Sequence, residues 1–187
     1  MPRLAPYLIA LLLGCGSNQN EGQTIPHPVP AQPPENPSTP YGETAQVQAY
    51  LQQISPFVQE VGQIQFEIDQ KIGTSGKATG SNLAPAMEKA KPRLQKALDT
   101  FSSITAPPLL ATLHADIKKL MLLRLNGYEH TIQSWQQEQK DGSIEGYKEA
   151  ESALNKANQL ILKLNQDMGM IHQALEKATH SAQTASP

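Results

Sequence analysis

The chain has 187 residues, with 15 Lys+Arg against 17 Asp+Glu, a formal net charge of −2 and one Cys. The length bounds it to one domain with appendages, and a charge near zero supplies no basic field for nucleic acid. A single Cys makes no internal disulfide and no Cys-rich zinc site, and aromatic residues at 5% give few platforms on which bases stack.

Residues 1–14 read as a signal peptide: Arg3 precedes a mostly apolar run from Leu4 to Leu13. The run is far shorter than the about 20 residues that span a bilayer. It stops at Leu12-Leu13-Gly14-Cys15, which resembles the lipobox of bacterial lipoprotein precursors. The resemblance implies that Leu12 fills the apolar position, Gly14 the small one, and that Cys15 takes the diacylglyceryl group, with acyl chains such as palmitate. It further implies a domain outside the cytoplasm, held to the bilayer of a bacterial cell envelope by an N-terminal lipid anchor. Gly16, where an Asp would favour the inner membrane, leans toward the outer membrane if the cell has one. A single myristoyl chain binds a membrane only marginally, and a diacylglyceryl group clears that threshold.

Residues 15–43 form the lipidated Cys and a spacer, with Pro at 26, 28, 30, 33, 34, 37 and 40. Proline at that density excludes helix interiors and sheet ladders. The expected state is disordered and extended, at about 3.1 Å per residue.

From Thr44 the pattern turns helical. Val47, Tyr50, Ile54, Phe57, Val61, Ile64 and Ile68 recur at alternating intervals of three and four. Gly73-Thr74-Ser75-Gly76 stops this helix, and Ser81-Asn82 is the expected cap of the next. Leu83, Met87, Ala90, Leu94, Ala97, Phe101 and Ile104 repeat the spacing, with kinks expected at Pro56 and Pro92. Thr105-Ala106-Pro107-Pro108 opens a third helix, whose stripe is Leu110, Leu113, Ile117, Met121, Leu125, Tyr128, Ile132 and Trp135. This opening, followed by His114, loosely resembles small helical bacterial lipoproteins of unknown function and implies no activity. Asp141-Gly142-Ser143 is a turn. The fourth helix has a heptad seam of Tyr147, Leu154, Ile161, Met168 and Leu175 beside Ala150, Ala157, Leu164, Ile171 and Ala178. The expected fold is all-α: an antiparallel four-helix bundle over 44–180, with helices at about 44–72, 83–104, 106–139 and 144–179. A polar tail, 181–187, is expected to be disordered. A net negative first helix beside a net positive second one favours their pairing.

The chemistry-bearing patterns come out bare. The Glu-x-x-His pairs of di-iron bundles are missing before His114, His130, His172 and His180, and there is no Cys-x-x-Cys-His for haem. Gly76-Lys77 lacks the remainder of a phosphate loop, and no nucleophile motif is present. No cofactor and no catalytic residue are expected. Met168 and His172, four apart, offer a thioether and an imidazole, a soft-metal pair, although the heptad places Met168 in the core and His172 beside it. In Leu120-Met121-Leu122-Leu123-Arg124-Leu125, Leu122 and Leu123 lie about 100° and 200° round from Met121. At least one is expected to face outward and touch a partner or a second copy. The functional expectation is a non-enzymatic, membrane-anchored envelope lipoprotein with an interaction, adaptor or assembly role toward another envelope protein. The alternative is a small-ligand or metal carrier with a cavity made by the kinks at Pro56 and Pro92.

Overall fold

The computed structural model describes residues 38–75 and 78–184. They are mostly helical, with four α-helices: α1 (Thr44–Ser75), α2 (Gly80–Phe101), α3 (Ala111–Asp141) and α4 (Tyr147–Thr184). A 3-10 turn at Pro108–Leu110 leads into α3, and two short strands, β1 (Ser38–Thr39) and β2 (Gly42–Glu43), precede α1.

The strands correct the expected extent of the spacer. Residues 38–43 form an antiparallel hairpin in which Ser38 faces Glu43 and Thr39 faces Gly42. The Thr39 hydroxyl donates to the Gly42 carbonyl at 2.9 Å and accepts from the Tyr41 N–H at 3.1 Å. Pro40 fixes φ at the first loop position. Gly42 has φ of +118°, a conformation that glycine adopts without penalty. β2 lies against α1, β1 lies against α4, and Tyr41 packs on the core. Among the described residues, ordered structure therefore includes 38–43, and the proline count that assigned 38–43 to the spacer misses a turn that uses proline. The signal peptide, Cys15 and the remaining spacer lie outside the described residues.

Helix boundaries follow local chemistry. α2 begins before the expected Ser81-Asn82 cap, because the Thr79 carbonyl already accepts from Asn82 and Leu83 at 3.1 and 3.0 Å. A Cβ at Gly80 would stand 1.9 Å from the Tyr147 hydroxyl and 2.8 Å from Trp135 Cε3, so a side chain here would have to displace those rings. α3 ends at Gly142, whose φ of +76° turns its N–H back to the Glu138 carbonyl at 2.9 Å. α4 continues past the expected end near 179. Thr179 and Ser181 bond the carbonyls of Leu175 and Lys177 at 2.8 and 2.9 Å and so sit within helical geometry. α1 and α2 run on through Pro56, Pro85 and Pro92.

The apolar stripes meet in one core. Ile54, Ile64, Leu94, Phe101, Met121, Tyr128 and Ile171 are among its fully buried members. α3 packs on both α2 and α4, α1 packs on α2, and α1 and α4 touch at few positions. The opposed charges of the first two helices do meet: Arg93 donates to Glu60 at 2.8 Å and to Glu67 at 2.6 Å. Lys91–Glu129 joins α2 to α3, and Lys163 joins α4 to Asp116 of α3 at 2.8 Å. These are exposed pairs worth about 0–1 kcal/mol each, so burial of the stripes carries the stability.

Near the α1, α2 and α3 junction, His114 stacks on Phe101 with ring centroids 4.3 Å apart. Its Nδ1 lies 3.0 Å from the Tyr50 hydroxyl. Burial, helped by the Lys118 charge, holds the His114 imidazole below its ordinary range. A folded value below the unfolded one means that the group stabilises the fold above the unfolded value, about 6.5, and that this contribution is lost as pH falls through the folded value. Thermal unfolding followed from about pH 7 to about pH 5 should show a falling midpoint. His114→Phe, which keeps the stacking, should flatten that fall; an unchanged pH dependence would show that His114 does not carry it.

Candidate functional site

Because α3 is covered on two flanks, it buries two stripes. The first is the apolar one. The second is Leu120, Arg124, Gly127, Thr131 and Ser134, at intervals of four, three, four and three. Most of its members are polar or lack a side chain, so apolar periodicity passes over it. Thr131 donates to the Gly127 carbonyl at 2.8 Å and Ser134 to the His130 carbonyl at 2.6 Å, which satisfies both hydroxyls within the helix. Gly127 leaves room for Leu154: a Cβ there would lie 2.6 Å from Leu154 Cδ2. Opposite, Ala150, Ala153 and Ala157 are buried on α4, so the two backbones approach closely.

Arg124 cannot close its own hydrogen bonds in this way. It is only 4% exposed. Its Nη2 donates to Asn158 Oδ1 on α4 at 2.8 Å, and its Nε is buried with no partner. From α1, Gln65 Nε2 donates to Asp69 Oδ1 at 2.7 Å, and Gln65 Oε1 is also buried without a partner. Among the described residues these are the two buried side-chain polar atoms without a protein hydrogen-bond partner.

The electrostatics couple α1 and α3. Burial pushes the Arg124 guanidinium below its usual range, while Tyr128 and Asp69 act to raise it. It remains a cation, as arginine does throughout folded proteins. Burial raises the Asp69 carboxyl, against the Gln65 hydrogen bond and the Arg124 charge. The Tyr128 hydroxyl is pushed up to about 12, chiefly by burial, and stays neutral. Arg124 Nε–H is left as a buried donor and Gln65 Oε1 as a buried acceptor. A buried donor or acceptor left unpaired costs about 1–3 kcal/mol.

The residues singled out from sequence lie elsewhere. Cys15 is outside the described residues. Met168 is partly buried against the core and His172 is exposed. Among the described residues no group of three or more His, Cys, Asp or Glu is placed to hold a metal ion. Leu122 is 48% exposed, whereas Leu123 packs partly buried on the core. The sequence signal for Arg124 was present: an arginine inside an apolar run, in step with the small residues at 127, 131 and 134. No protein-family model matches the chain, and no curated protein and no solved structure matches it.

Removing Arg124 strands Asn158 and the Asp69 charge and opens a hole. Arg124→Ala should lower the unfolding free energy by about 3–5 kcal/mol in denaturant titrations. A loss below about 1 kcal/mol would show that the guanidinium is solvated.

Proposed function

We propose that this chain is a lipid-anchored helical protein of the bacterial cell envelope, non-enzymatic, which presents its helical domain to a partner protein as an adaptor or assembly factor. The observation that carries the reading is the sequence Leu12-Leu13-Gly14-Cys15, placed after an apolar run and holding the one Cys of the chain. No helix among the described residues is long and apolar enough to cross a membrane. Attachment in this reading rests on the lipid at Cys15.

The same reading takes the four helices as an antiparallel bundle. Residue pairs support it. Between α3 and α4, Glu138 meets Tyr147, Arg124 meets Asn158 and Asp116 meets Lys163. Between α2 and α3, Lys91 meets Glu129 and Phe101 meets His114. Between α1 and α2, Phe57 meets Phe101 and Glu67 meets Arg93. In each pair of helices the numbers fall on one as they rise on the other. Leu122, exposed on α3, is the proposed contact for the partner.

A second reading, a carrier of a small ligand, is favoured by one specific observation: the unpaired Arg124 Nε and Gln65 Oε1 inside the helical core.

Expression of the full chain in a bacterial host fed labelled palmitate tests the first reading. The wild type should incorporate label and lose its first 14 residues, and Cys15→Ser should do neither. Equal processing of the two would remove Cys15 as the acceptor. In the same membranes, Leu122→Glu should lose co-purifying protein while its stability stays within about 0.5 kcal/mol of wild type. Unchanged co-purification would remove Leu122 from the interface.

A further inference from the structure

We propose that one end of the helical domain lies on the bilayer surface, with Leu109 set among the lipid headgroups. The inference rests on the lipid-anchored reading and adds which surface meets the membrane. Its basis is a charge asymmetry along the helices. No Asp, Glu, Lys or Arg stands between Glu43 and Glu60, between Asp99 and Asp116, or between Asp167 and Glu176. These three stretches come together at one end. The Tyr50 hydroxyl lies 3.0 Å from His114 Nδ1, His114 stacks on Phe101, and Phe57 meets Phe101 edge-on. On α4, Asn158 meets Arg124 and Lys163 meets Asp116, so the helix runs on toward the start of α3. Charge resumes where Lys163 stands between Asp116 and Asp167, at 2.8 and 2.7 Å. Within 38–59, 100–115 and 168–184, three of 55 residues are charged: Glu43, Glu176 and Lys177. The other described residues, 60–75, 78–99 and 116–167, carry 25 charges in 90.

The exposed surface of this end is made of amides and hydroxyls, among them Gln48, Gln52, Ser102, Ser103, Thr105 and Thr112. A charge pressed against lipid loses its hydration, whereas amides and hydroxyls can exchange water for headgroup oxygens. The 3-10 turn sends two adjacent leucines opposite ways: Leu110 is 1% exposed and Leu109 63%. Pro107 and Pro108 fix φ, and the Leu110 N–H donates to the Pro107 carbonyl at 2.9 Å, so the turn holds Leu109 outward. Two observations favour lipid over a protein as the occupant. The hairpin 38–43 brings the chain into the domain at this end, against α1 and α4. Only 22 residues, 16–37, separate it from Cys15, a reach of at most about 80 Å. Leu109 also stands singly on an uncharged polar surface, whereas the core of a protein interface gathers several aromatic and aliphatic anchors. The end has no cationic cluster, so the contact does not call for anionic lipid.

The test places a nitroxide label at Leu109→Cys or at Ile144→Cys in the full chain, whose own Cys15 thiol is taken by the lipid, on phosphatidylcholine vesicles. Both side chains are exposed, and Ile144 lies in the α3–α4 turn at the opposite end, so neither change disturbs the core. Electron paramagnetic resonance then compares access to oxygen, which concentrates in lipid, with access to a water-soluble nickel chelate. Oxygen access should exceed chelate access at position 109, and the reverse should hold at 144. Chelate access at 109 as high as at 144, in a chain that floats with the vesicles, would overturn this inference and leave the lipid anchor standing. A chain that carries no lipid and does not float would overturn both. Protection of 109 from the chelate in native envelope membranes, but not on the vesicles, would assign this end to a protein partner and overturn the membrane contact. Equal protection of 109 and 144 would overturn the orientation.

Discussion

A guanidinium that is 4% exposed constrains how α3 and α4 pack together. Burying an ion costs several kcal/mol unless neighbours restore what water supplied. Arg124 sits on α3, and its compensation comes from other helices. Asn158 of α4 accepts its hydrogen bond, and Asp69 of α1 supplies the opposite charge. The direct bond is the one to α4, and the Asp69 charge acts on the guanidinium without an ion pair. No protein group accepts from Nε. The surrounding packing must offset the difference.

The packing around Arg124 has the form that this constraint requires. Gly127 admits Leu154, and the buried alanines at 150, 153 and 157 bring the α4 backbone close enough for Asn158 to reach the guanidinium. Thr131 and Ser134 continue the same flank and bond their hydroxyls within α3, so they add no further polar debt. At the opposite flank, α3 meets α2 through apolar contacts and the exposed Lys91–Glu129 pair. At the amino-terminal edge, the hairpin 38–43 rests on both α1 and α4. A buried polar group and a small hairpin therefore both lie against α1 and α4, two helices that touch each other at few positions.

Much of the helical core is legible in the sequence, because it rests on apolar residues at helical spacing. Val47, Ile54, Leu94, Met121 and Ile171 are buried as the stripes require. The second stripe of α3 is not legible by that rule, because Arg124, Gly127, Thr131 and Ser134 carry no apolar signal. Only the double cover of α3 makes their positions interior. The same double cover separates two adjacent leucines, with Leu123 packed on the core and Leu122 48% exposed. The hairpin was hidden for a different reason. Its proline and glycine, read as spacer composition, are the residues its turn uses. The candidate site, a donor and an acceptor left over from separate helices, follows from tertiary placement and has no linear motif. The proposed lipidation of Cys15 is the reverse case, read from a linear motif and independent of the fold.

The most direct measurement is a double-mutant cycle between Arg124 and Asn158, using Arg124→Met and Asn158→Leu to exchange polar for apolar side chains of similar size. If the buried guanidinium depends on α4 for its compensation, each single variant strands its partner. The double variant should then lose less unfolding free energy than the sum of the two, by about 1–3 kcal/mol. Losses that add to within about 0.5 kcal/mol would show that the two residues act independently, and that Arg124 does not tie these helices together.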